Sequence, residues 1–398
     1  MRILVLGEVL QPSGYATVLQ GLLPHLEAHF DLHVFDRGAA SDNAAEAPAP
    51  PPGARWALHA NRVRGDVWGI EQLPALLDRL RPDVVWIVYD AILYLVHREL
   101  LAAWPTVLYC PIDGVNPEPE SLRHLAGLAR LVLFTATARR AVEAAAPTDA
   151  PLPPIDILPH GVDIATFRPV ADRAALRRRL FGLDRGFVVL NANRNNRRKR
   201  PDLTIAGFAR FVHDSGKAGR QRDAWLCLHM DSAQDYDLRA LAAAAGIEDR
   251  VLWSDRPLSP AGLNDLYNAC DAGINNSAGE GWGLVSFEHA ATGAPQIVPR
   301  HSACAELWHD AGVFLEPAGT SRAPLALCEN QDVTAEGLAD ALARLYGDDA
   351  YRQDYAGRAW RTATSPHLAW PHIAAQWRSL FARLGPTGPP APPSDAPG

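Results

Sequence analysis

Two parallel β-sheets in tandem, each wound with helices on both faces, are predicted by three features of the sequence. Apolar runs of strand length alternate with helical segments along most of the chain. The runs are almost continuously hydrophobic, as strands covered on both faces must be. The series then restarts after a short linker. At 398 residues the chain also exceeds the size at which a single core usually stops growing.

In the first series the strand-like runs are RILVLGEV, DLHVFD, DVVWIVYD, TVLYCPID, RLVLFTAT and IDILPHG, with helical patterns between them, as at Val18 to Leu26 and Leu73 to Leu80. The Ala- and Pro-rich stretch from Gly38 to Ala54 can bury little and reads as a mobile loop. ATFRPVADR reads as a linker. The second series, FVVLNANR, AWLCLHMD, RVLWSD, AGINNS, PQIVP and GVFLEP, follows it. Helices alone remain after Gly347. The segment Pro366 to Leu384 carries Trp370, Ile373, Trp377, Leu380 and Phe381 at helical spacing. The resulting division is 1–165, 166–365, a helix over 366–384 that crosses back to the domain junction because its aromatic face lacks a partner in either sheet unit, and a disordered Pro-rich tail over 385–398.

With 48% hydrophobic and 21% charged residues the composition is that of a soluble globular protein. No stretch approaches the roughly 18 apolar residues of a membrane span. The N-terminus enters directly as a strand, without the features of a secretory leader, so a cytoplasmic location is expected. The five cysteines are scattered and form no CxxC pair, which points to neither a disulfide framework nor a zinc site. A net charge of −7 argues against general nucleic-acid binding. The basic cluster Arg194, Arg197, Arg198, Lys199, Arg200 instead suggests a compact anion, with a solvated face preferred for at least two of Arg197, Arg198 and Arg200.

Ligands of open α/β sheets lie beyond the carboxyl ends of the strands, where turns meet helix N-termini. After AGINNS, the turn Gly279-Glu280-Gly281-Trp282-Gly283 leads into a helix that stops at Gly293, ahead of Pro295. The N–H groups of Gly281, Trp282 and Gly283, with Leu284 behind them, would face an anion at a helix N-terminus beginning near Trp282. Glu280 and Glu288 are roughly 10 Å or more apart along that axis at 1.5 Å rise per residue. That separation excludes a shared proton and suits two acceptors for hydroxyl groups on opposite sides of a diphosphate. Glycines flanking Glu280 and an apolar helix around Glu288 disfavour a reading of both as surface charge.

The segment E-G-W-G-L-V-S-F-E resembles the signature of retaining glycosyltransferases with the GT-B fold of two Rossmann-like domains facing a cleft, especially family 4. LPHGVDIATFRP, NANRNNRRKRPDLTIAGFARF and LNDLYNACDAGINNS are similar to further segments of that family. The resemblance implies Arg194 and Lys199 on a donor diphosphate, Glu280 on the donor sugar and Glu288 on the ribose. It also implies a nucleotide diphosphate sugar of UDP or GDP type as substrate, no cofactor and no metal, and an acceptor left unidentified. Ser13 and Gly14, in Pro12-Ser13-Gly14-Tyr15, resemble the family's glycine-rich loop and are carried as further ligand contacts. Where many relatives have a His at the sugar site, this chain offers Pro111, Ile112 and Asp113. Asp113, or Asp90, is the candidate for that polar role. The family's paired glycines are replaced by His301-Ser302-Ala303. Retention is consistent with a leaving diphosphate that helps deprotonate the acceptor on the same face, with no side-chain nucleophile. A nucleotide-sugar epimerase, a phosphorylase, or a silent nucleotide-sugar-binding subunit is the alternative.

Asp235-Tyr236-Asp237 has the D-x-D form of metal-dependent transferases, but is better read as the opening of a helix. His25 and His29 stand four apart without a third ligand.

Overall fold

A computed structural model describes residues 1–38, 49–214, 223–322 and 326–385. The expectations for the Gly38–Ala54 loop and the Pro-rich tail fall largely outside these residues. By its own contacts the chain divides into two units. One comprises Met1–Pro111, Glu118–Gly161 and the chain from Trp370; the other comprises Ile112–Pro117 and Val162–Ala369.

The first unit is a parallel sheet of seven strands: β1 (Arg2–Gly7), β2 (Asp31–Asp36), β3 (Ala57–Ala60), β4 (Val84–Val88), β5 (Thr106–Tyr109), β6 (Arg130–Leu133) and β7 (Ile155–Ile157), in the order β3-β2-β1-β4-β5-β6-β7. Each apolar run of the first series is one of these strands. The seventh, Ala57–Ala60, was not anticipated, because ALHA at a half-buried edge lacks a hydrophobic run. The central strands β1 and β4 are buried on both faces, as five consecutive apolar residues in VVWIV require.

The second unit is a parallel sheet of six: β8 (Phe187–Asn191), β9 (Ala224–Leu228), β10 (Val251–Trp253), β11 (Ala272–Ile274), β12 (Gln296–Pro299) and β13 (Gly312–Leu315), in the order β10-β9-β8-β11-β12-β13. A small antiparallel ribbon pairs β14 (Gly319–Ser321) with β15 (Asn330–Asp332). Strand order reverses between β8 and β11, so the chain splays apart beyond their carboxyl ends. An α/β sheet leaves its ligand crevice at such a point. The helices on its faces include Pro201–Asp214, Leu284–Ala291, Ala335–Gly347 and Asp349–Ala363.

The aromatic face of helix Trp370–Leu384 has partners after all, in the first unit. Trp377 stands 4.6 Å from Trp86 of β4 and 4.9 Å from Tyr109 of β5, centroid to centroid. Phe381 lies 5.5 Å from Phe30. Trp370 occupies space that glycine leaves open: a Cβ at Gly21 would come within 2.3 Å of its ring, and one at Gly161 within 2.4 Å. Periodicity identified the apolar face but could not show that two distant glycines clear a seat for it. All five cysteines are buried and unpaired by disulfide. No described helix is long and apolar enough to cross a membrane.

Trp377 is fully buried in this aromatic cluster. Trp377→Ala is therefore expected to destabilise the first unit by about 3–5 kcal/mol, whereas Ser379→Ala, on the exposed side of the same helix, should change stability by less than about 0.5 kcal/mol. Urea unfolding followed by circular dichroism measures both; a difference of less than about 1 kcal/mol between them would contradict the packing role.

Candidate functional site

Beyond β8 the chain turns through Ala192–Asn196 into a short 3₁₀ turn, Arg197–Lys199, before helix Pro201–Asp214. Buried amides hold this turn. Asn195 Nδ2 donates to the carbonyls of Asp231 (2.9 Å) and Tyr236 (2.8 Å), and Thr204 Oγ1 links Asn191 to Asn276 with 2.8 Å bonds. Asn276 Nδ2 in turn donates to the Arg200 carbonyl at 2.9 Å, fixing the left-handed Arg200 (φ 51°) that ends the turn. An amide can donate and accept at once, so these side chains satisfy the main-chain groups that the sheet releases at its end.

Beyond β11 the segment Asn275–Gly283 returns along the turn. Lys199 Nζ and Glu280 Oε2 form an ion pair whose side chains are only 12% and 8% exposed. Asn275 Nδ2 donates to the same carboxylate oxygen at 3.0 Å. Burial alone would raise the Glu280 carboxyl, but the charges of Lys199 and Arg198 and the bonds from Lys199 and Asn275 overcome it and bring it down to about 2. Burial also lowers the Lys199 amine, with Glu280 opposing. Glu280 is thus ionised at neutral pH, and each member of the pair opposes the other's desolvation.

At least two of Arg197, Arg198 and Arg200 were expected on a solvated face, but two of the three are engaged, Arg198 first. Its guanidinium donates to the Gly279 carbonyl and lies 3.3 Å from Asp113 Oδ2. Arg200 is absorbed by Asp202 and Asp332. Arg197 alone of the three is exposed, so the expectation of at least two solvated arginines fails: carboxylates and a carbonyl within reach draw the other two in. Asp113 belongs to the second unit because the segment Ile112–Pro117 pairs with it through Val115 and Glu329, at 2.9 and 2.8 Å. A Cβ on Gly279 would stand 2.1 Å from the Asp113 carbonyl oxygen, so only glycine admits this approach.

Helix Leu284–Ala291 begins after a left-handed Gly283 (φ 92°). Its start lies later than expected, so the first-turn N–H groups are those of Leu284 and Val285, with Gly281 and Trp282 in the preceding loop. Trp282 is buried and stacks on Phe287 at 5.1 Å. The left-handed Gly293 ends the helix. Glu288 is half-buried and accepts from the Tyr267 hydroxyl at 3.0 Å. Burial raises its carboxyl to about 7, with the Tyr267 bond opposing and Asp163 adding to the rise.

Arg194 is exposed on the turn, its carbonyl accepting from Asn196 N–H at 2.9 Å. In the first unit, Ser13 Oγ accepts from Ala16 N–H at 3.1 Å and so caps the helix that Gly14 opens. Asp90 stands at the N-cap of helix Ala91–Leu101. Asp237 caps its own helix, and Asp235 accepts from Arg197 N–H. His29 meets Arg378 at 2.7 Å, and among the described residues no cluster of three or more His, Cys, Asp or Glu could hold a metal.

Sequence reasoning missed Asn275, Arg198 and Ser302. The available signal for Asn275 was a polar Asn-Asn-Ser run closing a buried strand. Ser302, whose hydroxyl accepts from Glu280 N–H at 3.3 Å, was marked only as part of the His301-Ser302-Ala303 that stands in place of the family's paired glycines.

The structure also changes what Lys199 does for stability. Its removal leaves Glu280 charged and buried, so Lys199→Ala is expected to destabilise the second unit by about 3–5 kcal/mol, beyond any effect on ligands. The carboxyl of Glu288 binds its proton more tightly when folded than at the ordinary value of 4.5. Its contribution to stability is therefore complete below about pH 4.5 and lost as pH rises through about 7. Glu288→Gln should flatten the stability profile over that window, measured by thermal unfolding in a pH series; parallel profiles for the two proteins would show that burial does not hold this proton.

The family model described as glycosyl transferases group 1 matches residues 187–348. The D-inositol 3-phosphate glycosyltransferase of Arthrobacter sp. strain FB24 is 30% identical over 253 residues, 62% of this chain and 55% of the relative. That of Nocardia farcinica is 30% identical over 289 residues, 69% of this chain and 60% of the relative. The chain thus spans less than two thirds of the length of either. Among solved structures, sucrose-phosphate synthase from Thermosynechococcus elongatus superposes with a TM-score of 0.73 at 16% identity, covering 96% of this chain and 99% of the other. Anabaena HepE in complex with UDP and glucose superposes with a TM-score of 0.69 at 17% identity, covering 96% and 100%.

Proposed function

We propose that this chain, which carries a group 1 glycosyl transferase domain over residues 187–348 on a GT-B fold, transfers a sugar from a nucleoside diphosphate sugar to a hydroxylated acceptor, with retention of configuration and without a metal ion. The observation that carries the proposal is the Glu280 carboxylate, nearly buried and clasped by Lys199 and Asn275 at the mouth of the second sheet's switch point.

A buried carboxylate kept ionised is an acceptor for a sugar hydroxyl, and the adjacent ammonium is a ready counter-charge for a phosphate. The N–H groups of Leu284 and Val285 at a helix N-terminus add fixed positive ends without a proton to exchange. Arg194, exposed on the turn, can reach the same anion from solvent. Glu288, tied to Tyr267 farther along the helix, suits the ribose hydroxyls. As the bond between sugar and diphosphate breaks, negative charge gathers on the leaving phosphate, where these groups stabilise it. The phosphate oxygen on the acceptor's face then takes the acceptor proton.

UDP sugars are the first donors to test, since HepE is described with UDP and glucose. D-inositol 3-phosphate, named in the relatives, is the first acceptor. A thermal-shift screen of UDP, GDP and their sugars is decisive for the donor, because a ligand at about 100 times its Kd adds roughly 2.7 kcal/mol of stability. The absence of any shift would contradict the proposal. With the donor in hand, Glu280→Gln should lower kcat on the order of tenfold or more, the worth of a lost charge-assisted hydrogen bond, with modest change in nucleotide affinity. Activity should persist in EDTA. Loss of activity in EDTA and its return with Mg²⁺ or Mn²⁺ would overturn the charge assignment.

A further inference from the structure

We propose that Ser302 is a positioning residue for Glu280: held in a left-handed conformation, it grips the Glu280 peptide and so sets the direction in which the carboxylate meets its ligand. The inference rests on the reading of Glu280 as a sugar contact.

Ser302 follows β12 and is buried, with φ at 46°. Among the described residues only Arg81, Asn116 and Arg200 share a positive φ without being glycine. The side chain crowds the backbone in that region, so a buried serine persists there only where its surroundings hold it. Here the hydroxyl accepts from Glu280 N–H at 3.3 Å, and the next residue, Ala303, donates its N–H to the Glu280 carbonyl at 3.2 Å. Both polar groups of the Glu280 main chain are thus taken by consecutive residues, the first two of helix Ser302–Leu307. Neither bond touches the carboxylate, which is left to Lys199 and Asn275.

Ser302 Oγ also lies 3.1 Å from His301 Nδ1. With the ring neutral, its tautomer decides whether the hydroxyl donates to that nitrogen or accepts from it as well as from Glu280 N–H. Burial lowers His301 to about 4 against the opposing pull of Glu280, so the ring is neutral at physiological pH. Glu280 N–H, Ser302 Oγ and His301 Nδ1 thus form one hydrogen-bonded chain. Glycine, the residue this backbone would favour, could close no such chain.

Ser302→Gly tests the assignment, because it removes the hydroxyl while relieving the left-handed backbone, which offsets part of the cost of the lost bond. Hydrogen exchange at the Glu280 amide should quicken while helix Leu284–Ala291 keeps its protection. With UDP-glucose as donor and UDP release as the readout, kcat should fall on the order of tenfold with unchanged donor KM and unchanged calorimetric affinity for UDP. Introduced into Glu280→Gln, the same change should cause no further loss. Unaltered exchange at Glu280 overturns the inference whatever the donor. So does a kcat loss that persists in full on the Glu280→Gln background. If Glu280→Gln loses turnover and Ser302→Gly does not, this inference alone fails; if Glu280→Gln turns over normally, the sugar-contact reading fails and takes the inference with it.

Discussion

The second unit is organised around one constraint: an ion pair between Lys199 and Glu280 that is almost withdrawn from water. Removing two opposite charges from solvent is repaid only with good geometry and further hydrogen bonds. A pair of this kind is weak evidence for stability and strong evidence for placement, since every group around it must be arranged to keep both charges satisfied. Asn275 donates to the carboxylate, Ser302 and Ala303 hold its main chain, and Arg198 lends a second positive charge while holding the Gly279 carbonyl.

That arrangement needs two parts of the fold to agree. The turn carrying Lys199 leaves β8 and the loop carrying Glu280 leaves β11, and these strands are neighbours where the sheet order reverses. The pair therefore sits where an α/β sheet opens a crevice. Segment Ile112–Pro117 adds a third part. Its approach depends on Gly279 and Gly114, at which any Cβ would strike a backbone oxygen. Asp113 thereby becomes a neighbour of Arg198 instead of a residue at the end of the first sheet.

The two acidic residues of the signature have opposite electrostatic fates although only a loop and about one turn of helix separate them. Glu280 has cations beside it and is held ionised well below the ordinary carboxylate range. For Glu288 burial outweighs the Tyr267 hydroxyl and Asp163 adds to the rise, so its proton is retained toward neutral pH. Under the proposed function the first is an acceptor at all working pH values, and the second changes its capacity near neutrality, able to donate as well as accept while protonated.

Hydrophobic pattern by itself determined the class of fold and nearly every strand, because a parallel strand covered on both faces must be continuously apolar. Strand β3 escaped because a half-buried edge carries no such run. The helix stop at Gly293 was legible because a left-handed end favours glycine. Lys199, Glu280 and Glu288 were legible as candidates because their motif lies in one contiguous stretch on each side of the cleft between β8 and β11. Only the tertiary structure decided that Lys199 closes on Glu280, that Arg198 is a site residue, that Asp113 joins the second unit and that the last helix seats on Gly21 and Gly161. Each of these joins residues far apart in the chain, from 81 positions between Lys199 and Glu280 upward in the case of the helix. Periodicity speaks of a residue's own element. Which charge is desolvated beside which other charge depends on the whole packed unit.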